Sequence, residues 1–501
     1  MFIPIAVGII CFSYYITGDL YGDEVYTYYF SVMEEPAFLE AERAATSLIF
    51  LTLARAGYFI VGAPWGIRLA SVLFGIATVM IVGQLAKLLL GEKYTLIAMW
   101  LASLSPMLIE FGGEARVYVM LAFWGTAFLL CLVKFVSNEN WKTAILLGIV
   151  SALGCLTQIT FAANLVFGAI YYLVKRRRLT KYAIIVILLV IPVFIRALIL
   201  FLLYYESIGT KLTAGPGAVV TSNFILRIGL AFNFGYCTFS LPDLGLARNV
   251  PIISVLKENL PVFFMVLIAS VGIGVGAIQF ARKSPKTFFF LLGYIILPSA
   301  GIVIIGQLGY TIIREKYLIG VLGAYLILLS AIFKELTQKR MGWIPVLCFA
   351  LVIGISLYHY LVLPEEYSRR MMTSALNQEI ISMAEKSDTI VTYHMNGQHL
   401  IPLPFPYYQT GKYGLHYYTF LDKGYNFIDI NDEIPEGLSL QKFADQIDRK
   451  GENRIFLISV DSVQNWIDPE RIVMKTFERR RELQGKRFGR NLKLYIFSKP
   501  R

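Results

Sequence analysis

Charged residues stand beside apolar segments of membrane length at three places in this 501-residue chain. The first is GDLYGDEVYTYYF at residues 18–30, which directly follows an apolar run and contains Asp19, Asp23 and Glu24. A carboxylate at a membrane boundary is costly and usually serves a function, and a carboxylate can act as general base toward a hydroxyl group. The alternative is that these acids are solvated loop residues or helix N-caps.

Two further groups place basic residues beside tyrosines. They are Glu114, Arg116 and Tyr118 in FGGEARVYVML, and Arg314, Lys316 and Tyr317 in IIREKYLIG. Arginine presents a planar fork of donors that suits phosphate, and lysine adds a compact positive charge. The third of the three groups, with Arg314 and Lys316, therefore predicts a bound anion, unless its cations pair with Glu315 or with lipid headgroups. Arg196, inside an apolar segment, is expected to face a cavity or a partner; the alternative is that it extends to the outer headgroups.

The elements that must position these residues are membrane helices. Hydrophobic residues make up 56% of the sequence, and they are grouped in stretches of roughly 18–22 residues, long enough to cross a hydrocarbon core of about 30 Å. The stretches lack the alternation of barrel strands, so helices are expected. The sequence predicts a polytopic α-helical membrane protein with about eleven spans, at 2–17, 68–90, 94–110, 116–135, 141–157, 159–174, 182–204, 261–280, 287–307, 316–333 and 343–363.

Basic residues indicate the orientation of these spans. They are concentrated in alternate turns, such as KRRRLTK at 175–181, ARKSPK at 281–286 and KELTQKR at 334–340. By the positive-inside rule these turns are cytoplasmic, which places all three charged groups and the C-terminal tail outside. The formal charge of +12 follows largely from these turns and does not suggest nucleic-acid binding. Since the chain has no N-x-Ser/Thr sequon, a plasma (inner) membrane is favoured.

Two long outer loops and a C-terminal domain complete the predicted organisation. The loop at 18–67 contains apolar residues at helical spacing, which predict a helix along the membrane face rather than a twelfth span at 44–62. The loop at 205–260 is either a mobile cover over a lipid-facing cavity or a passive connector. Residues 1–363 are then the transmembrane domain, and 364–501 a small extracytoplasmic α/β domain in which strand-like and helical segments alternate. The predicted strands are DTIVTYHM, GLHYYTFLD, RIFLISVD and LKLYIFSK, and the helical patterns lie at 366–386 and 438–450.

No set of metal ligands stands out. His394 and His399 are five positions apart and have no evident third partner. The five cysteines are scattered and form neither a disulfide framework nor a metal-binding spacing. We predict no metal site and no certain cofactor, and leave a divalent cation open.

Carboxylates and cations at one outer interface suit the transfer of a group from a phosphate to a hydroxyl. Such a reaction needs a general base for the acceptor and cations, or a metal, to stabilise the departing phosphate. A lipid-phosphate donor would fit this position, with its tail in the bilayer, its phosphate at headgroup level and its reactive carbon outside.

Four segments resemble a known superfamily, in order and spacing over residues 1–330. They are GDEVYTYYF, RLASVLFGIATVMIVGQLAKLLLG, LASLSPMLIEFGGEARVYVMLAFWGTAFLLCLVKF and REKYLIG. The superfamily comprises dolichyl-phosphate-mannose protein mannosyltransferases and lipid A aminoarabinose transferases, which are GT-C fold glycosyltransferases close to glycosyltransferase family 39. The resemblance implies inverting transfer of a sugar from a polyprenyl-phosphate donor to a hydroxyl acceptor on the extracytoplasmic face.

The resemblance also implies roles for individual residues. Asp23 corresponds to the essential acid, with Glu24 beside it. The other matched positions are Glu114, Arg116 and Tyr118 near donor or acceptor, and Arg314, Lys316 and Tyr317 near the donor phosphate. The chain departs from many members in having Gln158 in place of a His, and GVLGAY in place of a Pro-containing motif. Because the outer loops of the membrane part contain no His, the metal linked to the aminoarabinose branch is not carried over.

The sequence therefore predicts an integral-membrane glycosyltransferase. Its partners would be a polyprenyl-phosphate sugar donor, a glycan, lipid or protein acceptor, and membrane lipids. One alternative is a transporter or flippase of lipid-linked saccharides, which predicts charges near the midplane, discontinuous helices and internal repeats. Another is a polysaccharide ligase or polymerase that uses diphosphate-linked glycans.

Overall fold

The structure is a computed structural model of the chain. It describes residues 2–14, 16, 24–32, 47–62, 64–212, 222–235, 260–307, 315–362, 380, 382–385, 387–392, 426–429, 439–450, 454–460, 472–488 and 492–498. Among the residues singled out above, Asp19, Asp23, Arg314, His394 and His399 lie outside these ranges. The structure divides into two compact units, one with the membrane helices and one with the C-terminal sheet, and each is described by itself.

Helices dominate the described part of the membrane unit. They are α1 (Phe2–Ser13), α2 (Glu24–Val32), α3 (Leu48–Val61), α4 (Trp65–Leu90), α5 (Glu92–Ser103), α6 (Pro106–Gly112), α7 (Tyr118–Ser137), α8 (Trp141–Thr157), α9 (Ala162–Arg176), α10 (Lys181–Leu212), α11 (Ser222–Phe234), α12 (Leu260–Lys283), α13 (Pro285–Gln307), α14 (Leu322–Thr337) and α15 (Trp343–Leu361). Two 3-10 segments, Ile159–Phe161 and Glu315–Val321, precede α9 and α14.

Seven helical segments of the described residues are long and apolar enough to cross a membrane. They are Trp65–Leu90, Tyr118–Ser137, Lys181–Leu200, Leu260–Lys283, Pro285–Ile304, Lys316–Thr337 and Trp343–Leu361. The prediction of a polytopic helical membrane protein is confirmed, whereas the count of about eleven spans is not confirmed.

The predicted span 94–110 is interrupted. Helices α5 and α6 pass the same test only as a pair, and they are bent by 54° where they meet. Pro106 has no backbone N–H to continue α5, and Ser105 caps α6 by accepting a hydrogen bond from Leu108 N at 3.4 Å. The local sequence Ser-Pro thus ends one helix and begins the next.

Both predicted outer loops contain helix. The first includes α2 and α3, and α3 has 14 residues, which give a length of about 21 Å at 1.5 Å per residue. This length is below the thickness of a hydrocarbon core. The second, predicted at 205–260 as a mobile cover or a passive connector, is helical up to Leu212 and again along α11.

The C-terminal unit contains a five-stranded sheet with the order β2-β1-β3-β5-β4. The strands are β1 (Thr389–Thr392), β2 (Asn426–Asp429), β3 (Arg454–Val460), β4 (Glu482–Phe488) and β5 (Leu492–Ser498). β1 pairs in parallel with β2 and β3, whereas β5 is antiparallel to β3 and β4. Helices α16 (Leu440–Lys450) and α17 (Ile472–Glu478) bury Phe443, Ile447, Val473 and Phe477 in a common core with β3 and β5. The predicted α/β character of this region is confirmed.

Candidate active site

The turn between α6 and α7 carries the second predicted group, and two other helices hold this turn. Ala115 O accepts a hydrogen bond from Thr27 Oγ1 of α2 at 2.8 Å. Arg116 O accepts one from Ser71 Oγ of α4 at 3.3 Å. Within the turn, Arg116 N donates to Glu114 O at 2.8 Å. The backbone at Glu114 and Arg116 is therefore fixed by elements from three parts of the sequence.

The second and third predicted groups meet around one aromatic ring. Lys316 Nζ lies 4.6 Å from the centre of the Tyr118 ring, and Arg116 Cζ lies 5.8 Å from it. The Tyr317 ring packs edge-on against Tyr118, with a centroid distance of 5.9 Å. Lys316 is only 8% exposed. We call Arg116, Tyr118, Lys316 and Tyr317 the cation–aromatic cluster.

Two cations, the Arg116 guanidinium and the Lys316 ammonium, lie around one ring in this cluster. Cation–π contacts offset part of the cost of burying an ammonium or a guanidinium group. Arginine and lysine side chains both donate charge-assisted hydrogen bonds to anions such as phosphate.

Glycines bring the two halves of the cluster together. A Cβ at Gly125 of α7 would overlap Gly320 O, and one at Gly323 would overlap Thr126 Oγ1. Tyr294 of α13 donates a hydrogen bond to Gly125 O at 2.7 Å. Small residues at such crossings let backbones approach closely. Because both segments start at the cluster and run in the same direction, this contact fixes Tyr118 beside Lys316.

Buried carboxylates occur at the start of α2, on α6 and in the turn before α7. Glu24 begins α2 and is fully buried, in a first turn where the helix dipole favours an acid. Glu114 is buried in the turn before α7. Glu110 of α6, one helical turn before Glu114, is also buried and was not predicted as a site residue. Its place in IEFGGEARVY, four positions before Glu114, was the available signal in the sequence.

Arg68 is the second residue that the sequence interpretation missed. It lies in the first turn of α4, is 0% exposed, and donates from one guanidinium nitrogen to Ile16 O at 3.2 Å. Ser71, which holds the Arg116 carbonyl, follows Arg68 by about one turn on the same helix. Arg68 thus connects the segment at Ile16, which precedes the acidic stretch, with α4. The same helix supports the 113–117 turn through Ser71.

Arg196 is half-buried on α10, whose main packing partner is α8. Burial raises the pKa of the Tyr28 phenol, and the neighbouring Tyr58 raises it further, so Tyr28 stays neutral. No three His, Cys, Asp or Glu side chains are arranged to hold a metal ion within the part of the chain that the structure describes.

Comparison with known proteins identifies the fold as that of GT-C membrane proteins. Residues 48–204 match the family model described as dolichyl-phosphate-mannose-protein mannosyltransferase. The fold is similar to that of ArnT from Cupriavidus metallidurans in the apo state, with a TM-score of 0.51, 10% identity, and coverage of 99% of this chain and 97% of that chain. The similarity to ArnT confirms the predicted GT-C type of fold.

Two other solved structures are similar at lower TM-scores. One is the archaeal oligosaccharyltransferase AglB from Archaeoglobus fulgidus in complex with an inhibitory peptide and a dolichol-phosphate (TM-score 0.45, 11% identity, 99% of this chain, 74% of that chain). The other is the arabinofuranosyltransferase AftD from Mycobacteria (TM-score 0.42, 13% identity, 100% of this chain, 40% of that chain). No curated protein matches the sequence.

Proposed function

We propose that the protein is an integral-membrane glycosyltransferase. It moves a sugar from a polyprenyl-phosphate donor to a hydroxyl of a glycan, lipid or protein on the extracytoplasmic face of a plasma membrane, with inversion. The observation that supports this most is the convergence of Arg116 and Lys316 on the buried ring of Tyr118. The fold and the mannosyltransferase family model support the reaction class, and ArnT has also been solved with undecaprenyl phosphate bound.

The described residues of the cluster would hold the donor. Lys316 and Arg116 bind the phosphate oxygens, joined by the predicted ligand Arg314. Tyr118 and Tyr317 form an apolar wall that keeps the cations in place and excludes water. Glu114 and Asp19 remain proposed contacts to donor or acceptor, and Arg196 a proposed contact to the lipid-linked substrate deeper in the membrane.

The reaction is a single displacement. Asp23, with Glu24 beside it, takes the proton of the acceptor hydroxyl as general base. The acceptor oxygen then bonds to the anomeric carbon, and the bond from this carbon to the donor phosphate oxygen breaks. The electron pair of the broken bond stays on the phosphate, which Lys316 and Arg116 stabilise as it departs. Attack from the side opposite the leaving group inverts the anomeric centre.

The proposed topology places residues 364–501 outside as a separate domain, where they would contact acceptor or outer loops. One observation favours the transporter alternative in part, because the broken span α5–α6 is the kind of discontinuous helix that transporters use. A transporter would move the lipid-linked sugar without breaking its bond to phosphate, so product analysis separates the two functions.

The test compares the wild-type protein with Asp23→Asn and Asp23→Glu at equal abundance in membranes. Labelled undecaprenyl-phosphate hexoses and pentoses and, in parallel, undecaprenyl-diphosphate-linked glycans are the donors. Surface glycans, lipids and peptides are the acceptors. We expect wild-type transfer, a loss of about 10²- to 10⁴-fold in Asp23→Asn, and partial retention in Asp23→Glu. Equal transfer by all three proteins would remove Asp23 from the mechanism. Transfer from diphosphate-linked glycans alone would indicate a ligase, and movement of label across the bilayer without transfer a flippase.

A further inference from the structure

A small cavity lies next to the cation–aromatic cluster, about one helical turn further along α7. Its walls come from the 3-10 segments and from α7, α9 and α13, and they include Thr160, Asn164, Pro298, Ser299, Tyr317 and Gly320. The space open to the centre of a water-sized sphere is about 10 Å³. This volume is close to the minimum that holds one water molecule.

Two polar oxygens in this wall are buried and unpartnered. Asn164 is 3% exposed, and its Oδ1 has no hydrogen-bond partner among the described residues. Thr160 Oγ1 is likewise buried without a described partner. Buried polar atoms are nearly always hydrogen-bonded in native proteins. The two residues that carry these oxygens line the same water-sized space, which points to a ligand.

The backbone around the cavity is irregular, as is typical of backbone that lines a polar site in a membrane protein. Ile159–Phe161 and Glu315–Val321 are 3-10 segments, and Pro298 interrupts the hydrogen bonding of α13. Non-helical backbone at membrane depth is tolerated where it lines a polar, protein-enclosed space. Gly320 has no side chain, and a Cβ there would lie 3.1 Å from Asn164 Nδ2. The glycine thus keeps room for the amide beside the cavity.

We propose that this cavity binds one hydroxyl-sized group, which donates a hydrogen bond to Asn164 Oδ1 and shares another with Thr160 Oγ1. A water molecule and a sugar hydroxyl both offer this chemistry. Through Tyr317, which lines the cavity and also belongs to the cluster, the bound group supports the ring that packs against Tyr118. If the bound group is a sugar hydroxyl, the inference rests on the proposed function. If it is a water molecule, the inference is independent of that function.

The direct test is high-resolution cryo-electron microscopy of the full-length protein, once without donor and once with undecaprenyl-phosphate mannose. We expect density at hydrogen-bond distance, about 2.7–3.2 Å, from both oxygens. Density in both maps identifies water as the ligand, and density only with the donor identifies the sugar hydroxyl. A cavity without density in both maps would overturn the proposal. The donor-free map does not depend on enzymatic activity. A failure of the cavity proposal can therefore be distinguished from a failure of the proposed function.

A pair of matched substitutions gives a second readout. Thr160→Val removes a cavity hydroxyl at nearly constant volume. Thr95→Val removes a buried hydroxyl of α5 that also has no described partner but lies outside this cavity wall. We expect Thr160→Val to lower the thermal unfolding midpoint relative to Thr95→Val, because only Thr160 would lose a bound partner. If the sugar is the ligand, Thr160→Val also raises the KM for the donor, by about 2- to 10-fold. Equal midpoints together with an unchanged KM would contradict the site.

Discussion

The ammonium group of Lys316 lies 4.6 Å from the centre of the Tyr118 ring, although about two hundred residues separate the two positions in the chain. Each residue starts a membrane segment, and the crossing at Gly125 and Gly320 fixes the two segments side by side. A cation held in this way needs little reorganisation to bind a phosphate. The contact thus links the packing of the bundle to the proposed chemistry.

Replacing Lys316 tests its proposed role in binding the donor phosphate. Lys316→Gln removes a charge-assisted hydrogen bond of about 1.5–3 kcal/mol, so we expect the donor KM to rise by about 10- to 100-fold. The KM for the acceptor should change little. Lys316→Arg keeps the charge and should retain most of the donor affinity. A donor KM that is unchanged in Lys316→Gln would remove this lysine from the donor site.

Tyr118 should act through its ring and not through its hydroxyl. Cation–π contacts are worth about 0.5–2 kcal/mol, so Tyr118→Leu should weaken donor binding by about 2- to 30-fold. Tyr118→Phe keeps the ring and should bind donor like the wild type. Donor binding by titration distinguishes the two variants. Equal losses in both would show that the hydroxyl, and not the ring, matters.

The crossing of α7 with the 3-10 segment predicts an intolerance of Gly125 to any side chain. Gly125→Ala would force the Gly320 backbone away, and overpacking of this kind costs about 1–3 kcal/mol. Gly274 of α12 is the matched control, because a Cβ there meets nothing within 4 Å. Gly274→Ala should leave the thermal unfolding midpoint unchanged or raise it, since alanine favours helix by about 1 kcal/mol. Similar midpoints for both variants would argue against the close crossing.

We expect Arg68 to contribute mainly to the stability of the protein rather than to the chemical step. Arg68→Met removes the hydrogen bond from a buried guanidinium to Ile16 O, at an expected cost of about 1.5–3 kcal/mol in the free energy of unfolding. Arg178→Gln, in the exposed turn after α9, is the control and should have no effect. Thermal unfolding of the purified variants in one detergent gives the comparison. An Arg68→Met protein as stable as the control would exclude the structural role.

The membrane fold was predictable because apolar runs of membrane length identify their own helices. Ser105 and Pro106 are a local signal for the break between α5 and α6. The break was missed because hydropathy is averaged over the length of a span, in which one dipeptide has little weight. In the C-terminal domain the sequence predicted β1, β3 and β5, which are the inner strands of the sheet. It missed β2 and β4, the edge strands, since edge strands are less apolar and lack the pattern of buried strands. The predicted strand GLHYYTFLD lies outside the described residues.

The site was predictable only in part. The positive-inside rule predicted that the membrane segments of Tyr118 and Lys316 begin on the same side of the membrane. Only a tertiary structure gives the contact between the two residues. Arg68 and Glu110 were missed because a sequence shows charge without showing burial. The Thr27 and Ser71 hydrogen bonds to the 113–117 turn join residues far apart in sequence, and no local pattern predicts them.

The crossing of Gly125 with Gly320 also determines how late in synthesis the two segments can pack against each other. Synthesis at about 5–20 residues per second leaves roughly 10–40 seconds between the emergence of the two glycines from the ribosome. During this interval the groove on α7 faces lipid or an insertion factor instead of its own partner. A nascent chain therefore holds Tyr118 in the membrane well before Lys316 exists. It acquires the proposed phosphate-binding pair only after roughly three fifths of the protein has been made.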